Sequence, residues 1–360
     1  MIELTTARLE SYLQAAFGKD ARLHDYGDLA SLDKQGMKRF GYGKPVLLRY
    51  EVNGRPHEGV LSVMRGDKYG HQFYWDRAAV LMFQFETSAR MPRHVRPMGL
   101  GYVDAEGNLC PVHGPQEFFI LNEKLQGYDY FHDLQRIRSE GLQEQDQELT
   151  RGLARWLADV HAQKHADVHL YFRRVRELVG ASECIMGLVD EAYPHPYAEY
   201  PEARFEALEH KVLEWRWKLK RYAHRLSAVH GDLHPWNVLV DGKGDFSILD
   251  RSRGEWGEPA GDLASMAINY LLMGLYDRPC LQGDFERLYQ TWFSTYLEVS
   301  GDEQALEVIA PFFVFRALVV ASPEWYPDHP LQVRKGLFRF MENILEEERF
   351  DWEHINRYME

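Results

Sequence analysis

The stretch His230-Gly-Asp-Leu-His-Pro-Trp-Asn-Val-Leu-Val-Asp-Gly-Lys-Gly-Asp-Phe-Ser-Ile-Leu-Asp250-Arg-Ser-Arg-Gly-Glu-Trp-Gly-Glu-Pro-Ala-Gly-Asp-Leu-Ala264 decides how this chain is read. It begins with a short apolar run into His230 and Gly231 and continues as a loop. Two brief strand-like runs follow, NVLV and FSILD, separated by a turn carrying Gly242 and Gly244. Asp232 opens the loop, Asn237 starts the first strand and Asp250 ends the second. Folding the second strand back on the first brings Asn237 and Asp250 to the same end of the ladder. A carboxylate and an amide oxygen are hard ligands that suit Mg²⁺, which keeps several waters and takes its remaining bonds from substrate phosphates. Asp232 is then free to orient an attacking hydroxyl and accept its proton. Phosphoryl transfer asks a protein mainly for positioning and charge neutralisation, which such a trio supplies.

The H-x-D-x-x-x-x-N spacing followed by a metal-binding Asp is the phosphotransfer template of protein-kinase-like enzymes. HGDLHPWNVLV resembles the catalytic loop of the aminoglycoside phosphotransferase and choline kinase-like superfamily. ILDRSRGEWGEPAGDLA resembles its metal-binding strand and the G-x-P-x-x-D-L-A stretch that opens a C-terminal helix, with Gly257, Pro259, Asp262 and Leu263 in the matching places. The resemblance implies Asp232 as catalytic base, Asn237 and Asp250 as metal ligands, and His230 as a structural residue of the loop. It implies a buried helix-start carboxylate at Asp262, a residue type that can cap a helix by accepting N–H bonds. It further implies Mg²⁺, ATP or GTP as phosphate donor, and a small hydroxylated acceptor. A pseudokinase, binding nucleotide without turnover, is the alternative. A protein kinase fits less well, because Arg251 and Ser252 follow the aspartate where D-F-G would stand.

Working outward, the first third alternates strand and helix signals. Thr6 to Phe17 reads as a helix with Thr5 or Thr6 as cap and Leu9, Tyr12, Leu13, Ala16 and Phe17 on one face. VLLRYEV and EGVLSVMR flank Asn53-Gly54, the strongest short hairpin cue. A helix is expected from Tyr74 to Ala89 with Trp75, Ala78, Ala79, Met82 and Phe83 buried, then strands at HVRPMGLGYVD and EFFILNEKL. From about Asp129 long helices dominate. Leu149, Leu153, Trp156, Leu157, Val160 and His161 form one stripe, with His161 read as a packed core histidine. A further helical stretch is expected from Glu202 to Arg225.

The resemblance spans roughly Leu32 to Tyr270 and implies an α+β, protein-kinase-like fold. Its lobes are a small β-rich lobe over residues 1–122, which covers the nucleotide, and a larger helical lobe over 123–360. Gly41 and Gly43 would form the phosphate-covering loop, while Asn122 and Glu123, in EFFILNEKLQG, would lie at the hinge. One departure stands out. In the family a lysine on the third strand pairs with the phosphates and with a helix glutamate, and here those places fall on Ser62 and on Arg77 or Asp76. A cation from elsewhere should offset the phosphate charge. Arg77, Arg65, Lys68, Lys38 and Lys44 are the candidates. Trp236 is a second departure, placed either to line the cleft or to pack beneath the loop. Arg251 and Arg253 either touch phosphate and substrate or pair with Glu255 and Glu258.

Composition bounds the rest. The chain has 360 residues, 45% of them apolar and 27% charged, which suits packed cores in a globular protein. A net charge of −13 disfavours nucleic acid and anionic membrane surfaces and is compatible with a cationic acceptor. Glu199, Glu202 and Glu206 either attract such a cation or form a solvated helix face. Cys110, Cys184 and Cys280 are widely spaced and show no C-x-x-C, so neither a disulfide framework nor a zinc cage is expected. MIELTTARLESYLQ lacks a basic segment leading into an apolar core, and the most apolar run, PFFVFRALVVA, is short and holds Arg316. A cytoplasmic location is therefore expected. The sequence does not indicate an oligomeric state.

Overall fold

The computed structural model describes residues 4–28, 45–88, 90, 95–115, 117–118 and 120–360. The chain divides into two compact units, Met1–Asn122 and Glu123–Glu360.

The first unit opens with helix α1 (Thr6–Phe17), whose N-cap Thr5 accepts the Arg8 N–H at 3.3 Å. Strands β1 (Arg22–Asp28), β2 (Val46–Val52) and β3 (Arg55–Leu61) form one antiparallel sheet in sequence order. The β2–β3 turn is Asn53-Gly54, with φ of 52° and 72°, the left-handed pair that a two-residue hairpin loop demands. Leu9, Tyr12 and Leu13 of α1 bury against Leu48 and Tyr50 of β2 and form the small core of this unit. Helix α2 (Tyr74–Ser88) and the hairpin β4 (Leu100–Val103) and β5 (Leu109–Val112) complete it.

One strand was not foreseen and two expectations are corrected here. β1 carried no strand signal, since RLHDYGD is mostly polar, and it is set by pairing with β2. EFFILNEKL forms no strand among its described residues; the partner of β4 is Leu109–Val112, nearer the turn. Strand propensity needs an edge to pair with, and a propensity alone does not supply one. Finally, no residue of α2 is buried, with Trp75 and Phe83 exposed at 48% and 68%. Helical periodicity marks an apolar face without saying what covers it.

The second unit begins with β6 (Tyr128–Asp129), α3 (Phe131–Glu140) and α4 (Glu144–His161). A reciprocal cap starts α4: the Gln143 N–H donates to Asp146 at 2.8 Å. Helices α5 (Val168–Gly180), α6 (Ile185–Glu191) and α7 (Glu202–Leu219) follow, the last ending in a 3₁₀ turn, Lys220–Arg225. Then come β7 (Ser227–Ala228), a 3₁₀ turn at Pro235–Asn237, β8 (Val238–Val240), β9 (Phe246–Ile248) and β10 (Trp256–Gly257). β8 lies between β6 and β9, while β10 pairs with β7. The chain closes with α8 (Ala260–Leu275), α9 (Asp284–Ser300), α10 (Ala305–Val308), α11 (Ala310–Ala321) and α12 (Leu331–Ile344). Every residue of α8 except Gly261 is buried, as its all-round apolar sequence requires. It packs against α9, α11 and α12. Beneath β7, Arg225 is clamped between Glu258 (2.7 Å) and Asp302, and the Tyr171 hydroxyl donates to Glu258 at 2.8 Å. Each of these buried charges has a partner, as burial of charge requires. Among the described residues no helix is long and apolar enough to cross a membrane.

Candidate active site

The loop between β7 and β8 carries His230, Asp232 and Asn237, and its shape is set by a buried carboxylate. Asp262, 1% exposed at the start of α8, accepts the His230 N–H at 2.7 Å and the Gly231 N–H at 2.8 Å. Its Oδ2 also lies 3.2 Å from His161 Nε2 on α4, whose other nitrogen meets the Tyr296 hydroxyl at 2.8 Å. Burial pushes the Asp262 carboxyl up, but His161 and the loop contacts outweigh it and hold it below the usual range. The expected cap of its own helix is thus corrected: this carboxylate anchors the loop. His161 is a packed core histidine, and it also props that anchor.

His230 accepts the Asp232 N–H on Nδ1 at 3.2 Å and donates from Nε2 to the Leu249 carbonyl at 2.8 Å. One ring therefore ties the loop to the end of β9, next to Asp250. Gly231 has φ of 89°, and a Cβ there would stand 3.1 Å from Arg253 Cβ, so both backbone and space call for glycine.

Asn237 is buried and donates its Nδ2 to the Asp232 carbonyl at 3.0 Å. Its side-chain Oδ1 remains as the atom it can offer to a cation. The Leu249 N–H donates to the Asn237 carbonyl at 2.9 Å, which sets Asn237 and Asp250 at the same end of the β8–β9 ladder. Asp250 is exposed and sits at φ of 51°, a left-handed conformation that aspartate tolerates better than most side chains. Two hard oxygen donors at a ladder end are of the type that suits Mg²⁺, which needs few protein ligands. Among the described residues no group of three or more His, Cys, Asp and Glu side chains is placed to hold a metal.

Asp232 is 8% exposed. Arg316 Nη1 donates to its Oδ1 at 2.5 Å, and Arg253 Nε lies 3.2 Å from its Oδ2. Burial raises its pKa, but the two guanidinium groups outweigh this and hold the carboxyl below the usual carboxylate range. His234, 3.9 Å away, is drawn below the ordinary histidine value, chiefly by burial. These groups, with Trp236, Ser265, Asn269 and Tyr326, line a cavity of about 150 Å³. Trp236 borders this cavity and stacks on Phe131 with centroids 4.2 Å apart.

Arg316 was missed at the sequence level as a site residue. Its signal was a lone arginine within the apolar helix of α11. Arg251 pairs with neither glutamate side chain; its guanidinium holds the Val229 and Glu255 carbonyls at 2.8 to 3.0 Å. Arg253 reaches Asp232 and also Glu183, whose carbonyl accepts its Nη1 at 3.2 Å and whose carboxylate lies 3.6 Å away. Glu258 is taken by Arg225.

In the first unit Ser62 lies just past β3 and is exposed. Arg77 donates to the His71 and Gln72 carbonyls at 2.8 and 3.1 Å. Arg65 and Lys68 are exposed, as are Asn122 and Glu123. Gly41, Gly43, Lys38 and Lys44 lie outside the described residues.

No curated protein sequence matches this chain. Among solved structures, the ethanolamine kinase of Plasmodium vivax aligns at 14% identity over 91% of this chain and 82% of its own, with a TM-score of 0.35. The choline kinase of Cryptosporidium parvum Iowa II aligns at 12% identity over 94% and 87%, with a TM-score of 0.33. A glucosamine kinase in complex with glucosamine, ADP and inorganic phosphate aligns at 16% identity over 99% and 82%, with a TM-score of 0.36. The model of the Phosphotransferase enzyme family matches residues 96–297, more than half of the chain and the whole of the loop just described. The chain belongs to that family, and it combines helices with small antiparallel sheets.

Proposed function

We propose that this phosphotransferase moves the γ-phosphate of ATP or GTP to a hydroxyl of a small molecule, with Asp232 as the base. The observation that carries the reading is the placement of Asp232. An ionised carboxylate borders a small cavity, and its backbone carbonyl orients the amide of Asn237. Asn237 and Asp250 would hold Mg²⁺, which when bound neutralises phosphate charge as it shifts to the leaving oxygen.

Asp232 accepts a hydrogen bond from the acceptor hydroxyl and holds its oxygen in line. A carboxylate kept below its usual pKa is a weak base towards an alcohol. Proton transfer therefore accompanies late formation of the O–P bond, as expected for a loose transition state. The proton passes from the acceptor oxygen to Asp232 as the new bond forms and the bond to the leaving phosphate breaks. His230, Gly231 and Asp262 contribute by positioning this loop.

A second reading, a pseudokinase, draws on the first unit: Ser62 stands at the lysine place, and Arg77 is engaged by two carbonyls. Turnover separates the two. The proposal expects Mg²⁺-dependent loss of ATP or GTP with formation of a phosphorylated product on a panel of hydroxylated metabolites. Nucleotide binding without turnover on that panel would favour the pseudokinase.

A further inference from the structure

The cavity beside Asp232 has a charge balance of its own. Asp232, Arg253 and Arg316 are its charged lining residues among those described, two guanidinium groups against one carboxylate. Glu183, which meets Arg253, has a side chain 76% exposed. Glu199, Glu202 and Glu206 do not line the cavity, so the acidic stretch of the sequence brings no negative charge to it.

Two lining residues also hold buried polar atoms with no hydrogen-bond partner among the described residues, His234 Nδ1 and Ser265 Oγ, while Arg253 Nε stands 3.2 Å from Asp232 Oδ2 as an ion pair without a hydrogen bond. Ser265 is 1% exposed, and leaving such a hydroxyl unpaired is costly unless a ligand or water meets it. Arg253 and Ser265 both line the same small space. Nearby, Asn269 spends its Nδ2 on the Ser265 carbonyl at 2.8 Å. Trp236, Trp325 and Tyr326 add flat apolar walls.

Resting on the reading of Asp232 as the base, we propose that the acceptor carries an anionic group, a carboxylate or a phosphate, beside the hydroxyl it offers to Asp232. Arg253 and Ser265 bind the anionic oxygens, and Arg316 keeps Asp232 compensated so that the two negative charges tolerate each other. Charge-assisted bonds to a guanidinium are the strong ones in such a site. Aromatic walls alone would also suit an ammonium group. In a cavity shared with two guanidinium groups, however, a cation is repelled, and the one carboxylate is already paired. Size points to a compact reacting end: a cavity of about 150 Å³ is the volume that accommodates a benzene-sized molecule.

The test uses the full chain and two readouts. In a transfer assay with Mg²⁺ and ATP or GTP, acceptors are offered in three charge classes: hydroxy acids and sugar phosphates, neutral polyols and sugars, and amino alcohols and amino sugars. Turnover is expected in the anionic class, with its carboxylate and phosphate members telling the two sources apart. R253Q should raise the KM of that acceptor by about tenfold or more, with R253K intermediate. Turnover in the neutral or cationic class instead overturns the inference and leaves the phosphotransferase reading standing. The second readout needs no turnover: thermal unfolding with inorganic phosphate or D-glycerate and no nucleotide. Wild type should be stabilised by at least one of the two and R253Q should not. An equal response of the two proteins overturns the inference. A clear difference between them, with no turnover in any class, supports the anion site and counts against the phosphotransferase reading alone.

Discussion

Asp262 and His230 are joined across 32 residues of sequence by a 2.7 Å bond from the His230 main-chain N–H to the Asp262 carboxylate. A side chain of α8 thereby sets the backbone of the loop that carries Asp232.

Asp262→Asn presents an NH₂ group to N–H donors in a fully buried place. Losing charge-assisted bonds at such a site should cost about 2–4 kcal/mol of stability. Urea unfolding reads the stability loss. Turnover should fall alongside, since the loop no longer holds Asp232 in place.

Asp232→Asn keeps the shape of the side chain and removes its charge. General-base contributions are typically about 10²–10⁴-fold, so turnover should fall by that factor. Nucleotide affinity should stay near wild type, because Asn237 and Asp250 are untouched. Full-rate phosphorylation by this variant would remove Asp232 from the mechanism.

Asp250→Gly tests the metal assignment without disturbing the backbone, since glycine adopts φ near 51° freely. Even an outer-shell partner of a metal is worth about 10–100-fold in affinity, so loss of a ligand should exceed that. Titration of nucleotide with and without Mg²⁺ measures it. Metal-dependent binding at wild-type strength in this variant would place the metal elsewhere.

His329 gives a pH prediction. Burial lowers it from the ordinary 6.5 to about 4, and its Nδ1 meets the Tyr276 hydroxyl at 2.5 Å. Between these two values the unfolded chain binds a proton that the folded protein does not, so stability rises with pH across the window. It is lost on acidification from about pH 6.5 towards 4. His329→Gln should flatten this slope in denaturation curves taken at pH 7, 5.5 and 4.5. An unchanged slope would show that His329 does not contribute to it.

Local chemistry made much of this protein readable in advance. The α1 span with its Thr5 cap, the Asn53-Gly54 hairpin and the β8–β9 ladder depend on neighbours a few residues apart, and short-range sterics decide them. That Asn237 and Asp250 share one ladder end was legible for the same reason, since a single hairpin joins them. Other features depend on distant partners. Arg316 reaches Asp232 from 84 residues away, and His161 meets Asp262 across 101. A lone arginine in an apolar helix announces that it must be paired, since burying a bare charge is costly, but not with what. Likewise EFFIL has strand character yet forms no strand among its described residues, and α2 has an apolar stripe that none of its residues buries. Which edge is free to pair, and which face is covered, follows from how the remaining elements pack. The sequence by itself determined which side chains the loop carries and how they are spaced. The tertiary structure decided its charge, by bringing two guanidinium groups onto one carboxylate.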